Sequence, residues 1–182
     1  MHTTDDVSAR LIIRFVIPLL ILGGCWLYGF IKGLMEKDGL DSNNPKKDIK
    51  YYSKKIKSEP YNYEHYFYRG TAYLHLDDYN AALNDLNKAI ELNPQYWNAY
   101  ANRAVVYYLR NQMQDALNDY STAIELNPDN AMLYRDRGYI NYDIQDFESA
   151  LADSEIAIKL EPENQESLAL YGKIKYELEN KS

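Results

Sequence analysis

Apolar residues recur at the spacing of an α-helix along the middle of the chain. Leu83, Leu86 and Ile90 lie three or four positions apart, so a helix would carry them on one side. The six letters AIELNP occur at 89–94 and again at 123–128, 34 residues later, and the surrounding residues repeat with them. A fixed period of a few tens of residues indicates a repeat architecture. The period divides this part of the chain into three blocks, 63–96, 97–130 and 131–164.

Each block predicts two helices separated by a short break. The breaks fall at Asp78, Met113 and Asp146. Asn-Pro ends the second helix of the first two blocks, because proline pushes the residue before it out of helical geometry. A helix pair of this size cannot bury its apolar side alone, so neighbouring pairs must stack around one core. We therefore predict an all-α solenoid of three helix pairs.

The positions shared by the blocks resemble the tetratricopeptide repeat. They are a tyrosine at the fourth place, a small residue at the eighth, and alanine at the twentieth and twenty-seventh: Tyr66, Tyr100, Tyr134; Gly70, Ala104, Gly138; Ala82, Ala116, Ala150; Ala89, Ala123, Ala157. The resemblance covers residues 63–164 and implies repeats that bind other proteins. In the third block Asn141 and Ser154 replace large residues. We expect that block to be looser.

The seventh place departs from the family pattern, because it holds arginine in every block. An aspartate follows each arginine sixteen residues later. The second helix would return this carboxylate to the arginine, so we predict bidentate ion pairs, inside a repeat or between successive repeats, that are largely shielded from water. We interpret the pairs as structural rather than catalytic, since the same pair recurs in each repeat. The three pairs are Arg69 with Asp85, Arg103 with Asp119, and Arg137 with Asp153.

Helices are also expected on both sides of the repeats. Residues 165–179 place Leu168, Tyr171, Ile174 and Leu178 on one side and charged residues on the other, which is typical of a capping helix. A lysine-rich helix over 45–57 aligns with the second half of a repeat. The predicted domains are a tail and membrane anchor at 1–37, a linker and half-repeat helix at 38–62, the repeats at 63–164, and the cap at 165–182.

An uncharged segment precedes the repeats. Residues 15–31 read FVIPLLILGGCWLYGFI, and 17 residues of helix span about 25 Å, near the thickness of a bilayer core. Trp26 and Tyr28 lie near one end, where interfacial aromatic residues are expected. We predict a single transmembrane helix here. The alternative is a buried helix of a soluble protein.

Cys25 gives the same segment a second interpretation. A basic start, an apolar stretch and the letters LGGC are similar to a bacterial lipoprotein signal, which would be cleaved before a lipidated Cys25. The chain stays apolar after Cys25, however, whereas a lipoprotein normally continues into a polar tether. Cys25 is the only cysteine, so an internal disulfide is impossible.

Charge is distributed unevenly along the chain. Residues 45–59 carry six basic and two acidic residues, whereas residues 60–182 carry ten basic and twenty acidic residues. The lysines of 46–57 could contact anionic lipid headgroups, or they could form an ordinary solvated helix face. The acidic repeats argue against a nucleic-acid partner. Lysines after the anchor favour repeats on the cytoplasmic side of the membrane.

The sequence contains no motif that would make it an enzyme. His65 and His75 are too far apart to be neighbouring metal ligands on one helix, and a phosphate-binding glycine loop, an H-E-x-x-H motif and a nucleophile elbow are all missing. We therefore predict no catalytic activity, no metal and no cofactor.

The resemblance implies a groove lined by the first helix of each pair. The residues at the corresponding places are Phe67, Tyr68, Thr71, Asn98, Asn102, Val105, Tyr108, Arg135, Tyr139 and Tyr142. Tyrosine rings and asparagine amides suit binding of an extended peptide. Of the places that bind chaperone tails in this family, only Asn102 matches, so we do not expect that mode. Arg135 is the cation expected to meet a carboxylate of the partner.

These observations predict a membrane-anchored scaffold that binds partner proteins. The leading interpretation is a subunit or assembly factor of a membrane or envelope complex. A membrane-tethered adaptor for soluble proteins and an envelope lipoprotein acylated at Cys25 are the alternatives.

Overall fold

The computed structural model describes residues 44–180, which form eight α-helices and no strand. In chain order they are α1 (Pro45–Ser58), α2 (Tyr63–Leu74), α3 (Tyr79–Leu92), α4 (Trp97–Leu109), α5 (Met113–Leu126), α6 (Ala131–Asp143), α7 (Phe147–Leu160) and α8 (Gln165–Asn180). Each helix packs on the next one along the chain, and the closest pairs are α2 with α3, α4 with α5, and α6 with α7. These three pairs are the repeats.

The turn inside each repeat has one backbone geometry. Asp77, Asn111 and Gln145 adopt left-handed φ values of 59°, 60° and 65°. The following residue then donates its N–H to a carbonyl five positions back, as Gln112 does to Tyr107 at 2.8 Å. This is the helix ending in which a left-handed residue satisfies the last free carbonyls. The turn residues lie one period apart, so the same bend recurs in each repeat.

Small residues let the two helices of a repeat approach closely. Ala82, Ala116 and Ala150 are fully buried. A Cβ on Gly70 would lie 3.1 Å from Leu86 Cγ and 3.2 Å from Asp85 Cβ, so the first repeat leaves almost no room for a methyl group. The core is therefore a row of alanine and glycine contacts flanked by larger side chains such as Leu86 and Tyr120, both fully buried.

The capping helix α8 turns most of the predicted stripe inward, with Ile174 buried and Tyr171 and Leu178 half-buried, but Leu168 lies outside the buried face. Leu168 is 39% exposed, whereas Ser167, Leu170 and Ile174 are buried. The prediction for Leu168 was wrong because the stripe was read one position out of phase at its start. A step of one residue turns a helix by about 100° and moves the side chain away from the α6–α7 pair.

The two residues that led us to expect a looser third repeat are both buried and hydrogen-bonded. Ser154 is fully buried and donates a hydrogen bond to the carbonyl of Leu151 at 2.8 Å. Asn141 is buried and donates to Asp153 Oδ2 at 3.2 Å. Both replacements are thus accommodated by polar contacts rather than by apolar packing.

The predicted membrane helix at 15–31 and Cys25 lie outside the described residues. Within residues 44–180, none of the helices combines the length and apolar character needed to cross a bilayer.

Candidate partner-binding groove

The arginine of each first helix forms a bidentate ion pair with the aspartate of the second helix. Nε and Nη2 of Arg103 each donate to one carboxylate oxygen of Asp119 at 2.7 Å. The Asp119 side chain is 9% exposed. Two further pairs have the same geometry, with distances of 2.7 to 2.9 Å: Arg69–Asp85 and Arg137–Asp153. The pairs therefore lie within a repeat and are mostly shielded from water, as the spacing predicts.

A third partner connects each pair to the preceding block. Nη1 of Arg103 donates to Asn87 Oδ1 at 2.6 Å, and Arg69 and Arg137 donate in the same way to serine hydroxyls at 3.1 and 3.0 Å. We call these three units the arginine ladder: Ser53–Arg69–Asp85, Asn87–Arg103–Asp119 and Ser121–Arg137–Asp153. Sequence reasoning missed the third partners, although they recur with the same period of 34 residues as the arginines.

Tyrosine rings flank the ladder. The guanidinium carbon of Arg103 lies 5.5 Å from the Tyr100 ring centre and 5.8 Å from that of Tyr107. Arg69 and Arg137 lie 5.9 and 6.0 Å from the tyrosine three positions before each. These are cation–π distances, so several of the tyrosines stabilise the repeats themselves.

Four of the predicted groove residues are half-buried on the first helices: Tyr68, Asn98, Tyr108 and Tyr142. The three tyrosine rings are held in place by neighbouring side chains. Tyr68 stacks on Tyr52 with centroids 5.2 Å apart, and Tyr142 meets the edge of Phe147 at 5.5 Å. Tyr108 Oη donates to Asp143 Oδ2 at 2.5 Å. The accessible part of the groove thus consists of pre-oriented tyrosine rings and one asparagine amide.

The remaining six predicted groove residues are buried: Phe67, Thr71, Asn102, Val105, Arg135 and Tyr139. The reason is that successive first helices pack against each other through these places. Asn102 Nδ2 donates to Thr71 Oγ1 at 2.8 Å, which joins α4 to α2. The expectation that these six residues are presented to solvent in the groove is corrected by this packing.

The sequence suggested that Arg135 would bind a carboxylate of a partner, but this arginine is already paired within the chain. It donates to Asp136 Oδ1 at 3.0 Å, and its Nη1 lies 2.6 Å from Glu166 Oε2 of the capping helix. Asp136 is fully buried, and its Oδ2 has no hydrogen-bond partner among the described residues. Burial raises the pKa of Asp136 to about 7, although Arg135 acts in the opposite direction.

The groove helices therefore offer no unpaired cation. The helices α2, α4 and α6 contain four arginines, Arg69, Arg103, Arg135 and Arg137, and each is ion-paired within the described chain. An arrangement of this kind can hold an extended backbone against rings and an amide, but it has no charge to fix an acidic tail. Residues 44–180 also contain no group of three or more His, Cys, Asp or Glu side chains placed to hold a metal ion.

The repeat geometry coincides with a known family. The tetratricopeptide-repeat model matches residues 63–96 and 97–130. The chain contains tetratricopeptide repeats. The third block, 131–164, keeps the same turn and the same ion pair, so it is a repeat of this kind in structure although it departs from the pattern at Asn141 and Ser154.

Solved tetratricopeptide-repeat structures are similar to this fold. The first domain of human RPAP3 is 27% identical with a TM-score of 0.63, covering 67% of this chain and 96% of its own. The first TPR of Spaghetti (RPAP3), bound to the HSP90 peptide SRMEEVD, is 26% identical with a TM-score of 0.62 and covers 64% of this chain and 93% of its own. MamA from Desulfovibrio magneticus RS-1 has a TM-score of 0.69 at 20% identity, covers 84% of each chain, and supports the fold alone.

No curated protein sequence matches the chain significantly. The repeats and their peptide-binding neighbours nevertheless define the general role. The described part of the chain is a scaffold for protein–protein interaction.

Proposed function

We propose that this protein is a membrane-anchored scaffold that binds an extended segment of a partner protein along its first helices. The observation that carries the proposal is a set of half-buried side chains on consecutive first helices, in which the three tyrosine rings are oriented by their neighbours: Tyr68, Asn98, Tyr108 and Tyr142. Rings fixed before binding lose little conformational freedom on contact, which favours affinity. The scaffold itself carries out no chemistry and uses no cofactor.

The partner segment is neutral or basic. The first and second domains of RPAP3 bind HSP90 and HSP70 peptides that end in EEVD. Here the four arginines of the groove helices are already ion-paired, so the groove helices have no free guanidinium to bind the carboxylates of such a tail. The acidic character of residues 60–182 points in the same direction.

The uncharged segment 15–31 anchors the scaffold in a membrane. The helix α1 follows it and exposes most of its lysines: Lys46, Lys47, Lys50, Lys54 and Lys57. Lys55 instead lies 3.4 Å from Glu59. A cationic helix that follows an anchor in the sequence suits anionic headgroups, and this supports repeats on the cytoplasmic side. The whole protein then acts as a subunit or assembly factor of a membrane or envelope complex.

The decisive experiment is purification of the full-length chain in mild detergent after brief crosslinking in cells. The test variant combines Asn98→Ala with Tyr142→Ala, and the control is Glu125→Ala, an exposed residue on a second helix. We expect stoichiometric integral-membrane partners with the wild type and the control, and their loss with the double variant. Partners that persist in the double variant would contradict the groove assignment. Recovery of soluble proteins alone would support the adaptor alternative.

Two measurements on the same preparation test the anchor. The protein should resist extraction from membranes by alkaline carbonate, and its intact mass should equal that of the uncleaved chain. A mass that begins at Cys25 and includes acyl chains would instead establish the lipoprotein alternative. Release by carbonate would contradict any integral anchor.

A further inference from the structure

An open cleft of about 310 Å³ lies beside the last unit of the arginine ladder. Its volume is at the lower end of the range for small-molecule sites. Side chains of α5, α6 and α7 form its walls, among them Leu117, Ser121, Arg137, Asn141, Ala152 and Asp153. The cleft is thus bordered by two second helices and is separate from the half-buried groove residues.

The second repeat has a tyrosine ring at the place where the third repeat has the cleft. There the guanidinium carbon of Arg103 lies 5.5 Å from the centre of the Tyr100 ring and 5.8 Å from that of the Tyr107 ring. In the third repeat Tyr134 takes the place of Tyr100, 6.0 Å from Arg137. Asn141 stands one period after Tyr107, so the second ring is replaced by a short amide.

The side chains around Asn141 leave the vacated space open. Asn141 turns toward Asp153, to which it donates a hydrogen bond at 3.2 Å. The small residues Ser149 and Ala152 line the cleft, whereas Asp115 and Asn118 hold the corresponding places in the second repeat. The third unit of the ladder therefore presents a guanidinium beside a space that a six-membered ring fills elsewhere in the same molecule.

We propose that this cleft binds an aromatic side chain from a partner protein, whose ring takes the position beside Arg137 that Tyr107 takes beside Arg103. The guanidinium supplies a planar cation for the ring face, and Leu117 and Ala152 supply apolar contacts for its edges. The ladder already neutralises Arg137 through Asp153, so the site favours an uncharged ring over an acidic group.

The test uses N-acetyl-tyrosinamide as the probe and the full-length chain, kept in detergent and labelled with ¹³C at leucine and alanine methyl groups. We expect a saturable ring-current shift at the Leu117 and Ala152 methyls on titration. Leu83, one period before Leu117, should not move, because the second repeat has the Tyr107 ring where the third repeat has the short side chain of Asn141. N-acetyl-leucinamide is the control ligand and should produce no saturable shift.

Two variants make the result decisive. Asn141→Tyr should abolish the shift at Leu117, and its folding is safeguarded because the other two repeats hold tyrosine at this place, Tyr73 and Tyr107. The triple variant Tyr107→Asn/Asp115→Ser/Asn118→Ala copies the cleft residues of the third repeat and should create a new saturable shift at Leu83. No saturable shift in the wild type, equal binding of the leucine analogue, persistence in Asn141→Tyr, or no gain in a folded triple variant would each overturn the proposal. The groove variant Asn98→Ala/Tyr142→Ala should leave the titration unchanged, so failure of one proposal does not imply failure of the other.

Discussion

The second and third repeats share a backbone but bury different chemistry. Their turns adopt φ values of 60° at Asn111 and 65° at Gln145. At the fifth and sixth places the second repeat buries Ala101 and Asn102, whereas the third buries Arg135 and Asp136. The same two places thus hold neutral residues in the second repeat and an ion pair in the third. The small residues at the helix crossing and the left-handed turn therefore determine the backbone of the repeat. The polar residues buried inside it can differ from one repeat to the next.

The buried charges of the third repeat are costly to retain. Replacing a buried ion pair by apolar residues is often neutral or stabilising, whereas removal of one partner is strongly destabilising. The second repeat shows that the fold does not need Arg135 and Asp136. The third repeat should therefore respond to pH and to substitution in ways that the second does not.

We expect the largest change in the free energy of unfolding when the aspartate of the arginine ladder is removed from the second or the third repeat. Asp119→Ala leaves Arg103 mostly shielded from water, beside two tyrosine rings and without its carboxylate, and should lower the free energy of unfolding by about 3 to 5 kcal/mol. Asp153→Ala should cost less, because the cleft beside Arg137 lets water reach the guanidinium; the arginine side chains are 18% and 24% exposed, respectively. Urea unfolding of both variants measures the difference.

Glu125→Ala is the control for Asp119→Ala, since Glu125 is an exposed residue of the same helix. It should change the free energy of unfolding by less than about 0.5 kcal/mol. An Asp119→Ala protein as stable as this control would mean that the ladder contributes nothing to stability. A larger loss for Asp153→Ala would show that the cleft does not relieve the stranded charge.

The next effect is a pH dependence specific to the third repeat. The pKa of Asp136 is raised by burial from 3.8 to about 7, so the native state binds a proton there that the unfolded chain has already released. Stability from this group is fully present below about pH 4 and is lost as the pH rises to about 7. The loss is up to about 4 kcal/mol. The nearby Arg135, Glu166 and Tyr120 modulate this titration.

Asp136→Asn makes the third repeat resemble the second at this place and should remove that dependence. The test is urea unfolding of both proteins between pH 4.5 and 8, and the stability of the wild type relative to the variant should fall with rising pH. Asp129→Asn, at an exposed position, is the control and should follow the wild type. Parallel profiles for the wild type and Asp136→Asn would mean that Asp136 stays ionised throughout.

A smaller effect of opposite sign is expected in the first repeat. Burial lowers the pKa of His75 from 6.5 to about 4, so the unfolded chain binds the proton more readily. Stability from this group is present above about pH 6.5 and is lost as the pH falls toward 4, by up to about 3 kcal/mol. His75→Leu, which copies Leu109 of the second repeat, should flatten the acid limb of the same urea experiment. An unchanged acid limb would contradict the placement of His75.

The smallest effect concerns the glycine at the helix crossing. A Cβ at Gly138 would lie 3.3 Å from Asp153 Cβ and 3.3 Å from the flexible end of Leu170. At Gly70 it would lie closer to its neighbours, 3.2 Å from Asp85 Cβ and 3.1 Å from the branch point of Leu86. Overpacking opposes the gain in helix propensity of about 1 kcal/mol. We expect Gly70→Ala to lower the free energy of unfolding by about 1 kcal/mol and Gly138→Ala to be near neutral, like the natural Ala104. Melting temperatures that drop equally in both variants would show that the two crossings are equally tight.

The sequence was sufficient for features that repeat. The blocks, the helix breaks at Asp78 and Asp146, and the arginine–aspartate pairs could be predicted because each recurs at one period. The break predicted at Met113 was wrong by one residue, because Met113 begins α5 and Gln112, one period after Asp78, precedes it. The third partners of the ladder recur with the same period, so they too were predictable from the sequence: Ser53, Asn87 and Ser121. Sequence periodicity carries this information because every repeat meets the same kind of neighbour.

The groove could not be predicted to the same depth. The positions that line the groove in this family indicate which residues lie on the first helices. Whether such a side chain is buried depends on how closely successive first helices approach each other. Asn102 and Arg135 look like ligand-binding residues in the sequence, and only the distances to Thr71 and Glu166 reveal that each is used within the chain. The cleft beside Asn141 is a similar case, because it depends on the direction in which one amide turns.

The arginine ladder also determines how an array of this kind can grow. Each block of 34 residues contains an arginine, its aspartate, and the side chain that receives the next block's arginine. A block copied whole and inserted in register would bring both halves of its junction with it, so duplication would lengthen the array without a new interface having to evolve. In the third block the receiving place is taken by Glu155, which is exposed, and a fourth repeat would find there a carboxylate for its arginine.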